Sequence, residues 1–401
     1  MDASPPTRLP VLPVLLETTA AQSLGTLCAL ALAALAPQAA ADLGVSPALI
    51  GYQVAGVYLG AMLSSLFGGG LVRRLGATRT SQLALWLGAA GCTLSAAGGL
   101  PTLAAGALVI GAGYGMVNPP ASHLLARLSI VKNMNLVFSI KQCGVPFGAM
   151  LSGLLLPPLA LVAGWRVALL ACAALAVALS LQQQRVRAAW DGDRDPSARV
   201  FSAPFASLFL IARHPVLRWL APASFLLSAV QLSLSGFLVT YLVAEGSFDL
   251  VGAGKILAVA HAAGAAGRLA WGWFADRLRS GAKSLIANCV LGIAGAFATA
   301  SIAPDWPAWL VAAAAALFGF TSIGWNGVFM AIIARQAPES IGAATGGTLF
   351  VTFAGVVVGP ALFSQLHDRF DMSYSTGFAS LGLLSAAAIV CLALARRYNR
   401  R

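Results

Sequence analysis

Long apolar runs alternate with short polar breaks along the whole chain. Six runs lie near 11–36, 49–71, 80–98, 101–124, 135–159 and 164–184, and six more near 216–243, 250–274, 282–303, 306–333, 341–366 and 373–395. Each is close to, or longer than, the roughly 20 residues that cross a bilayer as a helix. Backbone polar groups in hydrocarbon must be satisfied within their own segment, so runs of this length are expected to be helices. Between the sets lies the one long polar stretch, Gln182 to about His214. It contains QQQRVRAAWDGDRDPSAR, shows no periodicity and reads as a linker. The predicted fold is an all-α integral membrane protein of twelve transmembrane helices: a six-helix bundle over 1–184, a linker over 185–213 and a second six-helix bundle over 214–401.

Composition narrows this further. The chain is 59% hydrophobic and 9% charged, whereas a soluble domain carries about 25% charged residues. Its solvent is therefore mostly lipid. The first run, from Val11 to about Ala36, is longer than the apolar core of a signal peptide and is expected to be a retained span. The formal charge of +12 would suggest nucleic acid on a soluble protein. Here the cations fall in short loops on one side, so no nucleic-acid partner is expected. With the N-terminus inside, 20 of the 25 Lys and Arg residues are cytoplasmic, among them Arg8, Arg73, Arg74, Arg79, Arg127, Lys132, Arg199, Arg277, Arg400 and Arg401. Only Arg166, Lys255 and Arg369 fall outside, and Lys141 and Arg268 fall within spans. This bias predicts cytoplasmic termini in a multi-pass cell-membrane protein, a bacterial inner membrane being the expected location. The six cysteines all lie inside apolar runs, without metal spacing, and read as small packing residues.

The halves repeat. A shift of 203 places Gly51 on Gly254, Gly69 on Gly272 and Arg74 on Arg277. A shift of 208 places Gly111 on Gly319, Asn118 on Asn326 and Arg127 on Arg335. A six-plus-six parallel repeat is a transporter architecture, in which the site is expected between the halves near mid-membrane.

The loop GGGLVRRLGATR (Gly68–Arg79) resembles the signature of the major facilitator superfamily: a glycine, Asp-Arg, then glycine and basic residues. The equivalent loop GWFADRLRSGAK (Gly272–Lys283) keeps Asp276-Arg277, whereas Arg73 stands where the first copy usually has aspartate. The resemblance implies a secondary transporter working by alternating access, with Arg74, Asp276 and Arg277 gating the inner ends of helices. A topology signal alone is the plainer reading of these loops.

Several polar residues within spans carry candidate chemistry. Arg268 lies about 12 Å along the helix from Asp276, and His261, seven residues earlier, shares its face. Tyr58 and Ser65 are their counterparts in the repeat. An arginine four residues before this loop glycine resembles the arrangement in monocarboxylate and oxalate–formate transporters, where it binds the substrate carboxylate. A guanidinium fork suits a carboxylate and cannot deprotonate to escape burial. The alternative is an arginine that snorkels or pairs with helix carbonyls or Asp276. Lys141 and Gln142 open SIKQCGVPFGAMLSG (Ser139–Gly153), where Gly144 and Gly148 allow close helix approach. Lys141 reads either as a second anion contact or as a snorkelling stem. The same segment incompletely resembles a glycine-proline motif of drug–proton antiporters. Glu17 is the one acid within an apolar run, a candidate proton carrier unless it reaches interfacial water. Asn118 and Asn326 are paired by the repeat, and the resemblance implies that their spans face the central cavity, which makes the pair candidate substrate contacts; Gln22 and Gln231 are similar guests, and each of these amides alone can be interhelical glue. His123 is expected at the interface.

No Walker loop, metal-ligand spacing or nucleophile elbow is present, so neither an enzyme nor an ATP-driven pump is indicated, and no cofactor or metal is expected. The expected activity is alternating-access transport of a small organic anion, by proton symport or exchange, in a monomer. The runner-up is a proton-driven drug or metabolite exporter, and a sensor that moves nothing is a third class. The orientation predicts that cysteine labels at Leu100 and Asp305 react from outside the cell and that a label at Ser197 reacts only from inside; the reverse pattern would overturn the charge argument.

Overall fold

The computed structural model describes residues 9–45, 47–128, 133–198, 200 and 205–398. Arg8, Lys132, Arg199, Arg400 and Arg401 lie outside the described residues. Among those described there are twelve long helices: α1 Val11–Ala34, α2 Pro47–Leu75, α3 Ala77–Ala96, α4 Leu100–Arg127, α5 Met134–Ala163, α6 Trp165–Gln183, α7 Leu217–Ala244, α8 Leu250–Arg277, α9 Gly281–Ala300, α10 Ala308–Gln336, α11 Ile341–Phe370 and α12 Tyr374–Tyr398. Three short helices, Ala36–Leu43, Arg187–Trp190 and Ala206–Arg213, accompany them. Ten of the long helices are apolar enough to cross a membrane by length and composition alone. The other two, α3 and α8, have apolar runs diluted by Arg79 and Gln82 in one and by Lys255, His261 and Arg268 in the other.

The chain forms two compact units. The first holds residues 1–210 with 333–350, and the second holds 211–332 with 351–401. In the first, α2 packs along α4, α3 along α4 and α6, and α1 along α5. In the second, α8 packs along α10, α9 along α12, and α7 along α12. An apolar cluster built on Leu234, Leu238, Tyr241, Phe318, Phe363 and Phe378 fills part of the second unit.

The repeat seen in the sequence is the same contact made twice. Gly111 of α4 lies against the Val57 carbonyl of α2, so closely that a side chain would overlap it. Gly319 of α10 lies in the same way against the Ala260 carbonyl of α8. Shifts of 208 and 203 relate the two pairs. Lipid offers no hydrophobic force between helices, so backbone approach of this kind is what holds them together.

Three long helices are broken, for local reasons. In α4 the first segment ends at Gly115 and the second starts at Asn118. Pro119 and Pro120 follow, without the N–H groups that would bond back into the preceding turn. In α10 the break spans residues 323–325, and the second segment starts at Asn326. The two asparagines paired by the repeat therefore occupy the same place, the first residue after a break. In α5 the break falls at Cys143, four residues after Ser139 and just past Lys141 and Gln142. Pro146 removes the donor that Gln142 would otherwise receive.

The polar stretch after α6, read from the sequence as a linker, is docked against the first unit. Trp190 is buried, and the Asp191 carboxylate accepts from the backbone N–H groups of Thr78 (2.7 Å) and Arg79 (3.1 Å) at the start of α3. Gly76, at φ 96°, makes room for it, since a side chain there would overlap the carboxylate. Asp193 bonds His123 at 2.7 Å and Arg127 at 3.2 Å, and Arg127 also donates to the Trp190 carbonyl at 2.7 Å. Burial works against the charge on Asp193, but the His123 bond and the nearby cations prevail and hold its carboxyl below the usual aspartate range. The amide of Asp195 donates to the Arg73 carbonyl at 2.7 Å. The segment thus satisfies free N–H groups at the start of α3, which a helix leaves without internal partners. Loss of a helix cap costs about 1 kcal/mol. Asp191→Ala is therefore expected to lower the thermal unfolding midpoint of the purified protein, and Asp195→Ala, exposed and bonded mainly to Ser197, to leave it close to wild type.

Candidate functional site

In the first unit the structure brings together Lys141, Gln22, Asn118 and Gln142. Gly144 of α5 sits against the Thr19 carbonyl and the Gln22 side chain of α1, and Gly148 sits against the Ser23 carbonyl. That approach carries the preceding turn, with Lys141, onto the polar face of α1. The Lys141 ammonium does not snorkel. It is 2% exposed and donates to Gln22 Oε1 at 2.7 Å, Asn118 Oδ1 at 2.5 Å and Gln142 Oε1 at 3.0 Å. The break in α4 supplies Asn118 and the break in α5 supplies Lys141 and Gln142.

The electrostatics follow from the chemistry of the partners. Three amide oxygens satisfy the hydrogen-bonding of an ammonium, which has three donors. These three oxygens are neutral and bring no opposite charge to it. The sequence adds a second fact: from residue 43 to residue 190 the chain contains no Asp or Glu. The Gln22 amide is fully buried, and among the described residues its Nε2 donor has no hydrogen-bond partner. A buried donor left unused beside a buried cation is a costly arrangement unless an acceptor comes to it.

Tyr58 of α2 and Tyr114 of α4 meet edge to face, with ring centroids 6.1 Å apart. Tyr114 and Val117 lie over Gly25 of α1, one turn past Gln22. The two tyrosines therefore join the same interior through α4 and α1.

Glu17 is placed elsewhere. It stands five residues before Gln22 on α1, roughly 7.5 Å along the axis. Its Oε1 accepts from Gln182 Nε2 of α6 at 2.8 Å. Around it lie Thr78, Ser81, Gln183 and Trp190, the wall that the docked linker completes. The structure does not bring it together with Lys141. Arg74, exposed at the end of α2, belongs to that same polar end of the first unit.

In the second unit Arg268 is 1% exposed, one of the largest fully buried side chains of the chain. Gly264 and Gly267 flank it on α8 and press against Ile323 and the Phe320 carbonyl of α10, beside the α10 break. Its counterpart Ser65 is also buried, so the repeat gives the second unit a cation where the first has a hydroxyl. His261 is half-buried on the same helix face. Asn326 follows the α10 break, next to the fully buried Trp325, whose Nε1 donates to Gln231 Oε1 at 3.0 Å. Gln231 is thus an interhelical tie between α7 and α10. Arg277 is exposed at the end of α8 with its guanidinium 5.8 Å from the centroid of the Trp273 ring, and Asp276 precedes it, half-buried.

Sequence reasoning singled out Lys141 and Asn118 but not their meeting. It treated Gln22 as a possible tie between helices, and Gln22 does tie α1 to α5, through the lysine. The missed signal was a polar residue on the face of α1 that the glycines of α5 approach. His123, expected at the interface, is 26% exposed and bonded to Asp193 of the linker.

Comparisons with known proteins agree with this architecture. The Major Facilitator Superfamily model matches residues 19–360. The probable nitrate/nitrite transporter NarK2 of Mycobacterium tuberculosis is 28% identical over 158 residues, a match spanning 39% of this chain and 39% of that relative's length. Among solved structures, the Escherichia coli fucose:proton symporter FucP superposes with a TM-score of 0.75 at 16% identity, covering 97% of this chain and 99% of that one. The human organic anion transporter MFSD10 gives 0.73 at 15% identity, covering 96% and 100%. At these identities the solved structures bear on the fold alone.

Proposed function

The chain belongs to the Major Facilitator Superfamily, and we propose that it is a secondary transporter of a small planar oxyanion, a carboxylate or a nitrate-like ion. It is a multi-pass membrane transporter of small molecules, not an enzyme. What supports the anion is one observation: the Lys141 ammonium rests on three neutral oxygens, with the idle Gln22 Nε2 donor beside it. An arriving oxyanion would meet a positive charge whose hydrogen bonds can be exchanged and a donor that gains a partner. The second unit keeps its own buried cation, Arg268, whose planar fork matches two oxygens of a carboxylate or nitrate. A cationic drug would be repelled by either, which disfavours the exporter reading. The partial likeness to a probable nitrate/nitrite transporter supports the same charge preference.

Proton coupling is a separate part of the proposal. Glu17, on Gln182 and against the linker wall, is the carboxylate available within a span of the first unit, and it would act away from the anion. Cytoplasmic termini and gating by Arg74, Asp276 and Arg277 complete the reading.

The test is counterflow of labelled nitrate and of small carboxylates into liposomes holding the purified protein. Lys141→Gln and Arg268→Lys should each weaken anion binding by roughly tenfold to a hundredfold, the weight of a charged hydrogen bond of about 1.5–3 kcal/mol. The nitrate and carboxylate arms separate the two oxyanions. Flux of organic cations with no anion flux would overturn the proposal. Glu17→Gln should retain anion exchange and binding while abolishing accumulation driven by a pH gradient; unchanged accumulation would remove Glu17 from the coupling.

A further inference from the structure

A second group of cations lies at the polar end of the first unit, apart from the Lys141 cluster. There a basin of about 500 Å³ is walled by Arg74, Arg79, Gln82, Leu83, Trp86 and Arg194. Arg79, Gln82, Leu83 and Trp86 stand three, four and seven residues apart on α3, which sets them along one stripe. Arg74 comes from the last turn of α2 and Arg194 from the docked linker. Trp86 lies two turns from Arg79, roughly 10 Å further along the α3 axis and so further into the apolar part of that helix. It is 48% exposed, and the three arginines are exposed as well.

Nearby acids are engaged elsewhere. Asp191 caps α3 through the amides of Thr78 and Arg79, Asp193 holds His123 and Arg127, and Asp195 accepts from Ser197. Among the described residues no carboxylate pairs with Arg74, Arg79 or Arg194. Gln82 spends its Nε2 on the Ser180 carbonyl and Gln184. The basin therefore presents three guanidinium forks at its polar rim and an exposed indole at its apolar floor.

We propose that this basin binds the phosphate headgroup of an anionic membrane lipid, with Trp86 against the glycerol and upper acyl region. Guanidinium forks match phosphate oxygens two at a time. Exposed tryptophans settle at the depth of the lipid headgroups, where one end is apolar and the other wet. Basic pockets at the ends of membrane helices select anionic headgroups. A free phosphate ester would use the arginines but leave the indole idle; a lipid uses both, which is why the lipid is the assigned occupant. The linker enters the site through Arg194, so lipid binding also bears on the docking of residues 190–195. None of this depends on which solute the protein carries.

The experiment uses full-length protein in neutral detergent, titrated with phosphatidylglycerol, phosphatidylcholine, sn-glycerol 3-phosphate and inorganic phosphate, with bound lipid counted by native mass spectrometry. Phosphatidylglycerol is expected to bind well ahead of phosphatidylcholine, more weakly as salt is raised. Arg79→Gln and Arg194→Gln should each reduce that affinity roughly fivefold, and Arg397→Gln, an exposed cation of the second unit, should not. Trp86→Ala should weaken the lipid but not the soluble phosphates. Unchanged melting in phosphatidylcholine shows that each variant is folded. Equal binding of the two lipids, or an Arg79→Gln/Arg194→Gln double variant that binds as wild type, would overturn the site. Competition by glycerol phosphate as strong as by the lipid, with no effect of Trp86→Ala, would overturn the lipid assignment in favour of a soluble phosphate.

Discussion

A charged ammonium inside a helical bundle has to be met by oxygen, and the first unit is arranged so that it is. A helix can stand in lipid because its backbone groups bond one another, so its own carbonyls are already used. The oxygens must come from side chains or from places where a helix is interrupted. Lys141 has both: amides from α1 and from two broken helices, all within 3.0 Å, with the α1 amide brought close by the bare backbones of Gly144 and Gly148. If those glycines carried side chains, α5 could not lie on α1 at this distance. The lysine would then lose Gln22 and with it the geometry that makes the unit an anion receptor in our reading.

The same dependence explains why the fold could be read from the sequence more fully than the site. Hydropathy marks a span whatever its neighbours are, so twelve runs emerge even where α3 and α8 are diluted by Arg79, Gln82, His261 and Arg268. The repeat was legible because a glycine against a carbonyl tolerates no substitute; Gly111 and Gly319 keep the same offset as Asn118 and Asn326. The site was legible only as a set of unusual residues. That Lys141 turns inward to Gln22, and that Glu17 turns to Gln182 instead of joining it, depend on which helix lies beside which. A period along one chain segment carries no information about that.

The docking of the linker was not legible for a related reason. WDGDRDPS has no helical or strand period because its order does not come from regular structure. Each acid has its own partner at the polar end of the first unit: helix amides for Asp191, a histidine and an arginine for Asp193, and Ser197 for Asp195. The first copy of the basic loop has Arg73 in place of the expected aspartate, and the negative charge near it comes from further along the chain. Low periodicity with alternating charge is the pattern of a disordered connector and equally that of a segment moulded to a charged surface.

This docking redefines where the first half of the protein ends. A two-piece version of the chain, divided at residue 185 as hydropathy would suggest, separates α3 from the carboxylate that caps it and from the buried indole of Trp190. Division after Ser197 leaves both on the first fragment, together with the partner of His123. Fragments of the second kind should be the ones that reassemble when made separately, and reporter fusions inserted into the chain belong beyond that point, not at the end of α6.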